Sequence, residues 1–122
     1  MVNNEKAYYT VSHSACAADY STCQYDAQLV TANLGAPNNI QFTSAQKLQG
    51  QGADIINVIQ NKLFLYAYAD SGGIIIYSLA NPLEPGFETI YRTDYYPGKI
   101  VVINNKACLP SGMYGVKVIP LQ

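Results

Sequence analysis

One short motif occurs three times along the chain, and it restricts the fold more than any other feature. It reads Val-x-[Asn/Gln]-[Asn/Glu]-Lys, and an apolar or aromatic run follows each copy. Asn tolerates the positive φ that a two-residue hairpin turn requires, so each copy predicts a tight turn between neighbouring strands. The copies are Val2-Asn3-Asn4-Glu5-Lys6, Val58-Ile59-Gln60-Asn61-Lys62 and Val102-Ile103-Asn104-Asn105-Lys106.

A second feature repeats in step with the first. Leu34-Gly35-Ala36-Pro37 matches Leu79-Ala80-Asn81-Pro82, and Leu121 takes the corresponding place in the third copy. The period of roughly 44 residues is typical of repeat architectures. We place the repeats at approximately 2–57, 58–101 and 102–122 of one repeat region, 1–122. The first repeat is the longest, and we interpret its excess, approximately 12–24, as a loop inserted into the scaffold.

The interior of each repeat predicts strands rather than helices. Short runs rich in Ile, Val, Tyr and Phe alternate with turn residues, and no apolar stripe keeps a helical spacing. Four antiparallel strands per repeat make a β-propeller blade, so we expect an all-β fold with about 2.5 four-stranded blades, a partial propeller or a ring-forming subunit. The expected strands are 6–11, 25–33, 40–48, 53–59, 62–69, 73–79, 87–93, 99–104, 106–110 and 115–121.

The second repeat resembles a known repeat family. Gly73-Ile-Ile-Ile-Tyr-Ser-Leu-Ala-Asn-Pro82 is similar to the LVIVD-type β-propeller repeat, as are the segments 63–70 and 96–103. The sequence departs from that pattern at Ser78, where the family often has Asp, and at Gln28, which replaces the Gly of the first repeat. The resemblance implies a cell-surface or secreted propeller, and it implies no catalytic residues.

Two and a half blades do not make a closed ring, because propellers have about four to eight blades. Free strand edges and sheet faces would remain available to other chains. We therefore expect a piece of a longer propeller or an obligate assembly, in which the partner is the chain itself or the remaining blades. Two copies would supply enough strands for a five-bladed ring. Other surface proteins and glycans are the further partners considered.

The cysteines bear on the compartment. Cys16 and Cys23 lie in a small, polar segment and favour a disulfide outside the cytosol, with free thiols or a metal site as alternatives. Cys108 has no partner left and is interpreted as a small buried apolar residue. The N-terminus has no apolar h-region, so the signal of a secreted protein would lie outside this sequence. We expect an extracellular or cell-surface location.

The charge balance excludes several classes of partner. The 122 residues include 7 Lys+Arg and 8 Asp+Glu, for a net charge of −1. This is too little positive charge for a nucleic-acid-binding patch, and the apolar runs are too short to span a membrane. We expect no nucleic acid, no membrane insertion and, without a Gly-rich phosphate loop, no cofactor.

The inserted segment supplies a candidate binding loop that consists of His13, Asp19 and Tyr20. His13 is the single histidine of the chain. With Asp19, Asp26 or Asp70 it could bind a cation or act as a base, and the alternative is a solvated histidine. A Ser-His-Asp triad would need His13 as its base, and no Gly-x-Ser-x-Gly motif occurs.

Two further acidic groups each have a functional and a structural interpretation. Asp70-Ser71-Gly72-Gly73 is similar to part of a Ca²⁺ loop but lacks the remaining ligands, so we interpret it as a hairpin turn. Glu84, Glu88 and Asp94 could act as paired carboxylates, but solvated surface positions are the simpler interpretation. We therefore predict no catalytic residues, no metal ligands and no enzymatic activity.

The tyrosines remain as the richest source of contact surface. A tyrosine has an apolar ring and a polar tip, so each one serves either core packing or ligand contact. We expect a non-catalytic extracellular binding or scaffold module, with a lectin that completes its propeller by oligomerising, or a fragment of a larger propeller enzyme, as alternatives. The tyrosines on or beside predicted strands are Tyr8, Tyr9, Tyr66, Tyr68, Tyr77, Tyr91, Tyr95 and Tyr96.

Overall fold

The computed structural model describes residues 1–36, 38–48, 53–67, 73–92 and 100–121, which form three antiparallel sheets. The first sheet contains β1 (Val2–Asn3), β2 (Lys6–Cys16), β3 (Cys23–Asn33) and β4 (Gln41–Lys47). The second sheet contains β5 (Ala53–Ile59), β6 (Lys62–Ala67), β7 (Gly73–Ser78) and β8 (Gly86–Arg92). The third sheet contains β9 (Val101–Ile103), β10 (Lys106–Pro110) and β11 (Val116–Pro120), with a 3-10 turn at Gly112–Tyr114 between the last two.

In each sheet the strands that are hydrogen-bonded to one another are consecutive in the chain. The prediction of an all-β fold is confirmed, and none of the three sheets closes on itself. Each of the ten predicted strands overlaps an observed strand, and β1 is an additional one. The repeat boundary placed between Asn57 and Val58 lies inside β5, so the sequence repeats and the sheets do not begin at the same residues. The break between sheets falls before Ala53, since β5 pairs along its length with β6.

The three predicted hairpin turns are confirmed, and they have the same backbone geometry. Both central residues of each turn have a positive φ, as type I′ turns require, and the flanking residues pair directly. The side-chain identities differ among the copies, so the shared requirement is for residues that tolerate this backbone conformation. The φ values are 47° and 60° at Asn4 and Glu5, 50° and 62° at Gln60 and Asn61, and 47° and 60° at Asn104 and Asn105.

The repeated leucine closes each of these turns. In every sheet its backbone amide, just beyond the third strand, donates a hydrogen bond to the carbonyl oxygen of the second turn residue. The two repeated sequence features are therefore the two halves of one structural unit, in which the end of the third strand is fastened to the first hairpin. The bonds are Leu34 to Glu5 at 2.7 Å, Leu79 to Asn61 at 2.8 Å and Leu121 to Asn105 at 2.8 Å.

The sheets stack face to face, and the second sheet is buried on both faces. Alternate side chains of β6 and β7 point to opposite faces, as the pleat of a strand dictates. One core joins the first and second sheets, and its members include Tyr8, Leu29, Leu63, Leu65, Ile75 and Tyr77. The other core joins the second and third sheets, and its members include Phe64, Ile74, Ile76, Ala107, Leu109 and Ile119. Each fully buried Leu, Ile or Phe contributes roughly 1.5–3 kcal/mol, so stacking is the main source of stability.

Polar side chains of the first sheet hold the loop between β7 and β8. They donate hydrogen bonds to three backbone carbonyl groups of that loop. The first and second sheets are therefore joined by directional bonds as well as by apolar packing. The donors and acceptors are Tyr8 Oη to Pro82 O at 2.9 Å, Thr43 Oγ1 to Leu83 O at 2.8 Å and Gln46 Nε2 to Pro85 O at 2.7 Å.

The interpretation of approximately 12–24 as an inserted loop is wrong for most of its length. β2 continues to Cys16 and β3 begins at Cys23, so the connection between the strands is confined to residues 17–22. The extra residues of the first repeat thus lengthen a hairpin instead of forming an irregular loop. Continuous backbone pairing from Ser12 with Ala27 to Cys16 with Cys23 accounts for this, because it satisfies the hydrogen-bonding groups that a loop would leave open.

Several residues considered above lie outside the described part of the chain. They are Tyr68, Asp70, Asp94, Tyr95 and Tyr96. Within the described part, no helix has the length and apolar character needed to cross a membrane.

Candidate binding arm and sheet faces

A hairpin arm, residues 12–27, extends beyond the four-stranded part of the first sheet. β4 pairs with β3 only between Gln28 and Asn33, so the rest of the β2–β3 hairpin is a ribbon of two strands. The side chains of β2 from Val11 to Cys16 are exposed. A two-stranded ribbon without a packed face is only marginally stable in water. Among the described side chains of the arm, only Ala27 at its base belongs to a core, so apolar packing does little to hold the rest of the arm in shape.

A disulfide fastens the end of the arm. Cys16 and Cys23 are directly paired residues of β2 and β3, their Cα atoms are 4.0 Å apart, and their sulfur atoms are bonded. In the chain-entropy model, a cross-link over so short a loop is worth about 2–3 kcal/mol, because it restricts the unfolded hairpin. The disulfide therefore stabilises the arm, which has no apolar core of its own.

The tip of the arm is an ordered turn that presents an aromatic ring. Ala17 N donates to Thr22 O and Tyr20 N donates to Ala17 O, both at 2.9 Å. Tyr20 has a φ of 58°, and its side chain is 79% exposed. Positive φ is uncommon for a residue with a Cβ, so the turn holds this ring in an outward position by its backbone conformation.

Asp19 is fixed in the same tip by Ser21. Its Oδ1 accepts hydrogen bonds from Ser21 Oγ at 2.7 Å and from Ser21 N at 3.1 Å. These bonds favour the charged form and lower the pKa of the Asp19 carboxyl group, with the side-chain bond as the largest cause. The tip therefore offers a fully ionised carboxylate beside the exposed ring of Tyr20.

The three residues of the candidate binding loop all belong to the arm, but they do not form one cluster. Asp19 and Tyr20 lie in the tip, whereas His13 lies in β2, where it pairs with Asp26 of β3. The placement of His13 in a loop is wrong, since the strand continues past it. Among the residues that the structure describes, no group of three or more His, Cys, Asp or Glu side chains could hold a metal ion.

Of the predicted acidic group, Glu88 already has a structural partner. Glu88 forms an ion pair with Lys62, whose Nζ lies 2.6 Å from Glu88 Oε2. This pair lines an open groove of about 420 Å³ between the second and third sheets. Glu84 is exposed in the loop between β7 and β8. The described members of the predicted acidic group therefore show no arrangement of two free carboxylates.

The tyrosines divide between core and surface. Tyr8 and Tyr77 are fully buried, and Tyr66 and Tyr91 pack against the core between the second and third sheets. Burial raises the pKa of both Tyr8 and Tyr66. Tyr9 instead lies on the outward face of the first sheet. The positions equivalent to Tyr8 in the other repeats are Phe64 and Cys108, so this tyrosine does not recur from sheet to sheet.

The two ends of the stack present apolar faces to solvent. Directly paired residues share a face of a sheet. An apolar row therefore crosses the first sheet, in which Val2 pairs with Ala7, Ala7 with Ala32 and Ala32 with Phe42. Phe42 is 70% exposed in that row. We call this surface the first outer face. Its further exposed apolar members are Tyr9, Val11 and Ala45, whereas Val30 and Ala32 of the inner strand β3 are themselves buried.

The corresponding surface of the third sheet is the third outer face. Cys108 pairs with Val101 on one side and with Val118 on the other, and Val118 is 53% exposed. Ile103 and Val116 are exposed on the same face. Cys108 is a half-buried free thiol here, so its interpretation as a buried residue is wrong, because no sheet covers this face.

The sequence predicted uncovered sheet faces but did not indicate which residues lie on them. Val101-Val102-Ile103 is a continuous apolar run, and the alternation in Val116-Lys117-Val118 would place the two valines inward, so neither segment indicates the exposed face. No family model, no curated protein and no solved structure matches the chain. The likeness of the 73–82 segment to LVIVD-type repeats therefore stays a prediction that is based on its motif residues.

Proposed function

We propose that this chain is a non-catalytic, extracellular binding or scaffold module built from β-propeller blades, and that it mediates protein–protein or surface assembly. The observation that carries the proposal is the second sheet, which is buried on both faces by sheets of the same construction. Sequential antiparallel sheets stacked in this way are the arrangement of blades in a propeller. The repeated turn and its leucine bond support a common origin for the three sheets.

The arm supports a role in binding. It extends from the stack of sheets, it is fastened at its end by a disulfide, and it presents Tyr20 and a charged Asp19 at its tip. Tyrosine is common in the centre of protein interfaces because its ring gives contact area and its hydroxyl group gives a hydrogen bond. An ordered tip also loses little conformational entropy when it binds.

The disulfide supports the extracellular location. Disulfides persist in oxidising compartments and are rare in the cytosol of most organisms. The arm depends on this bond more than the stack does, since the arm has no core of its own. A module of this kind would therefore keep its binding tip in order only where the disulfide stays oxidised.

Photo-cross-linking through the arm tests the proposal. A photoreactive benzophenone amino acid replaces Tyr20 in one variant and Met113, which is 91% exposed outside the arm, in a matched control. Both variants are illuminated on the intact cells from which the protein comes. We expect a discrete cross-linked protein from position 20 and none from position 113. Equal cross-linked products from both positions, or no product from either, would overturn the binding role. If soluble oligosaccharides added before illumination prevented the cross-link from position 20, the result would indicate a lectin.

A further inference from the structure

The first and third outer faces are the two halves of an interface that the molecule already contains twice. Under the repeat alignment, Tyr9, Leu65 and Leu109 are equivalent, and Tyr8, Phe64 and Cys108 are equivalent. Leu65 packs toward the first sheet and Leu109 toward the second, so this position faces the preceding sheet. Tyr8 and Phe64 each face the following sheet.

Both internal interfaces therefore have the same polarity. The face that carries the Tyr8 position packs on the face that carries the Leu65 position of the next sheet. The first outer face carries Tyr9, so it is equivalent to the faces of the second and third sheets that pack against a preceding sheet. The third outer face carries Cys108, so it is equivalent to the faces of the first and second sheets that pack against a following sheet.

An aromatic residue extends the same equivalence. Phe87 of β8 pairs with Tyr77, and their rings make an edge-to-face contact with centroids 5.8 Å apart on the side of the second sheet that faces the first. Phe42 occupies the equivalent place in β4, where its partner is Ala32. On the second sheet this position adjoins the packed interface, whereas on the first sheet Phe42 is largely exposed.

We propose that the third outer face of one copy packs against the first outer face of a second copy, so that the chain associates head to tail. This inference rests on the blade architecture proposed above, and it names the partner of these two faces. The apolar character of both faces suits such packing, and the charged members at their borders are Lys47 on one and Lys106 on the other. A head-to-tail contact joins two different surfaces, so repetition of it leads to a closed ring or an open filament.

The contrast with a two-fold dimer makes the proposal testable. A two-fold dimer would pair like faces, first with first or third with third, and one damaged face would leave the other dimer intact. In a head-to-tail assembly, every contact needs one undamaged first outer face and one undamaged third outer face. Damage to either face in all copies therefore abolishes association.

The experiment uses three variants of the full chain and light scattering coupled to size exclusion. Phe42→Lys places a charge on the first outer face, Val118→Lys places one on the third, and Met113→Lys adds the same charge at an exposed apolar residue of neither face. We expect oligomers from the wild type and from Met113→Lys, and 13.3 kDa monomers from each face variant alone. An equimolar mixture of the two face variants should yield dimers, because each supplies the face that the other lacks.

The mixture also controls for folding, since a variant that failed to fold could not restore a dimer. If either variant loses its β-sheet circular dichroism, Val11→Lys and Val101→Lys test the same two faces. The Cys108 thiol supplies a second reading, because its reaction with a maleimide should slow with rising wild-type concentration and not with rising Val118→Lys concentration. A wild type that stays monomeric at every concentration would overturn the inference, and so would dimers of either face variant alone. Neither result bears on the cross-linking experiment through Tyr20, so the two proposals can fail separately.

Discussion

Leu63 and Phe64 are adjacent in the chain and both fully buried, yet they pack into different cores. Leu63 contacts the core shared with the first sheet, and Phe64 contacts the core shared with the third. Successive side chains of a strand point to opposite faces, so β6 achieves this only because a sheet covers it on each side. A strand of this kind has no polar face, which explains the nearly continuous apolar run from Leu63 to Leu65.

Gly73 should be intolerant of even one added methyl group. It is buried in β7, and a Cβ at this position would lie 2.6 Å from the carbonyl oxygen of Tyr91 in the neighbouring strand. Gly73→Ala should lower the free energy of unfolding by about 1–3 kcal/mol, as overpacking does in well-packed interiors. Chemical denaturation measures the change. Gly86→Ala is the matched control, since a Cβ there meets nothing within 4 Å, and an equal loss in both variants would contradict the steric argument.

The turn at Gln60 and Asn61 should depend on backbone conformation. Asn61 has a φ of 62°, and a β-branched residue in this left-handed region should cost about 1–2 kcal/mol. Asn61→Val should therefore destabilise the chain, whereas Asn61→Gly should leave the urea midpoint nearly unchanged. Both variants remove the same amide side chain and keep the backbone carbonyl that accepts from Leu79. Equal destabilisation by Val and Gly would show that the amide side chain, and not φ, is what the turn requires.

Reduction of the disulfide should loosen the arm and leave the stack intact. The arm is paired by backbone bonds and lacks a core, whereas Leu63, Leu65 and Ile75 are fully buried far along the chain from it. Hydrogen exchange followed by mass spectrometry, with and without a reductant, measures both regions. We expect faster exchange in residues 12–27 and unchanged protection in β6 and β7. The double variant Cys16→Ser, Cys23→Ser should behave like the reduced protein, and loss of protection in β6 would refute the separation of arm and stack.

Tyr8 should make the stability fall at alkaline pH. Burial raises the pKa of its hydroxyl group above the unfolded value of 10.0, so the unfolded state loses its proton first as pH rises. The stabilisation from neutral Tyr8 is therefore complete below the unfolded pKa and is lost as pH rises through the folded pKa. Unfolding midpoints measured between pH 7 and pH 11 should drop above pH 10.

Tyr8→Phe isolates this contribution. At neutral pH it removes the hydrogen bond to Pro82 O, which should cost about 0.5–1.5 kcal/mol. Above pH 10 its stability should fall less steeply than that of the wild type. Tyr20→Phe is the matched control, because it removes a hydroxyl group from an exposed ring at the tip of the arm and leaves the bond from Tyr8 to Pro82 O in place. It should keep the wild-type slope. A Tyr8→Phe profile parallel to the wild type would show that other tyrosines cause the alkaline loss.

The local features of this fold could be predicted because they are encoded by neighbouring residues. The residue pairs before Lys6, Lys62 and Lys106 adopt the positive φ that the repeated motif predicted, and the leucines that follow in step bind back to them. The strand positions also followed from short apolar runs between turn residues. These preferences belong to single residues and to dihedral angles, so they do not depend on what packs against them.

The length of the arm could not be predicted from the sequence. Its segment from Ser12 to Cys16 is small and polar, and both of its faces are exposed, so it has no alternation of apolar and polar residues to indicate a strand. Pairing with β3 and the disulfide make it a strand. For the same reason the sequence predicted a loop at His13, whereas in the structure His13 lies in a strand and pairs with Asp26.

The burial of each apolar strand was likewise decided by tertiary structure. Ile74, Ile75 and Ile76 are buried on two sides, while Val116 and Val118 are exposed, although all of them are aliphatic residues in antiparallel strands. A residue's own chemistry sets its tendency to leave water, but burial requires a covering surface from elsewhere in the chain or from another molecule. Residue identity was therefore enough to locate the turns, most of the strands and the cysteine pair, whereas the stacking order of the sheets decided which faces became core and which stayed open.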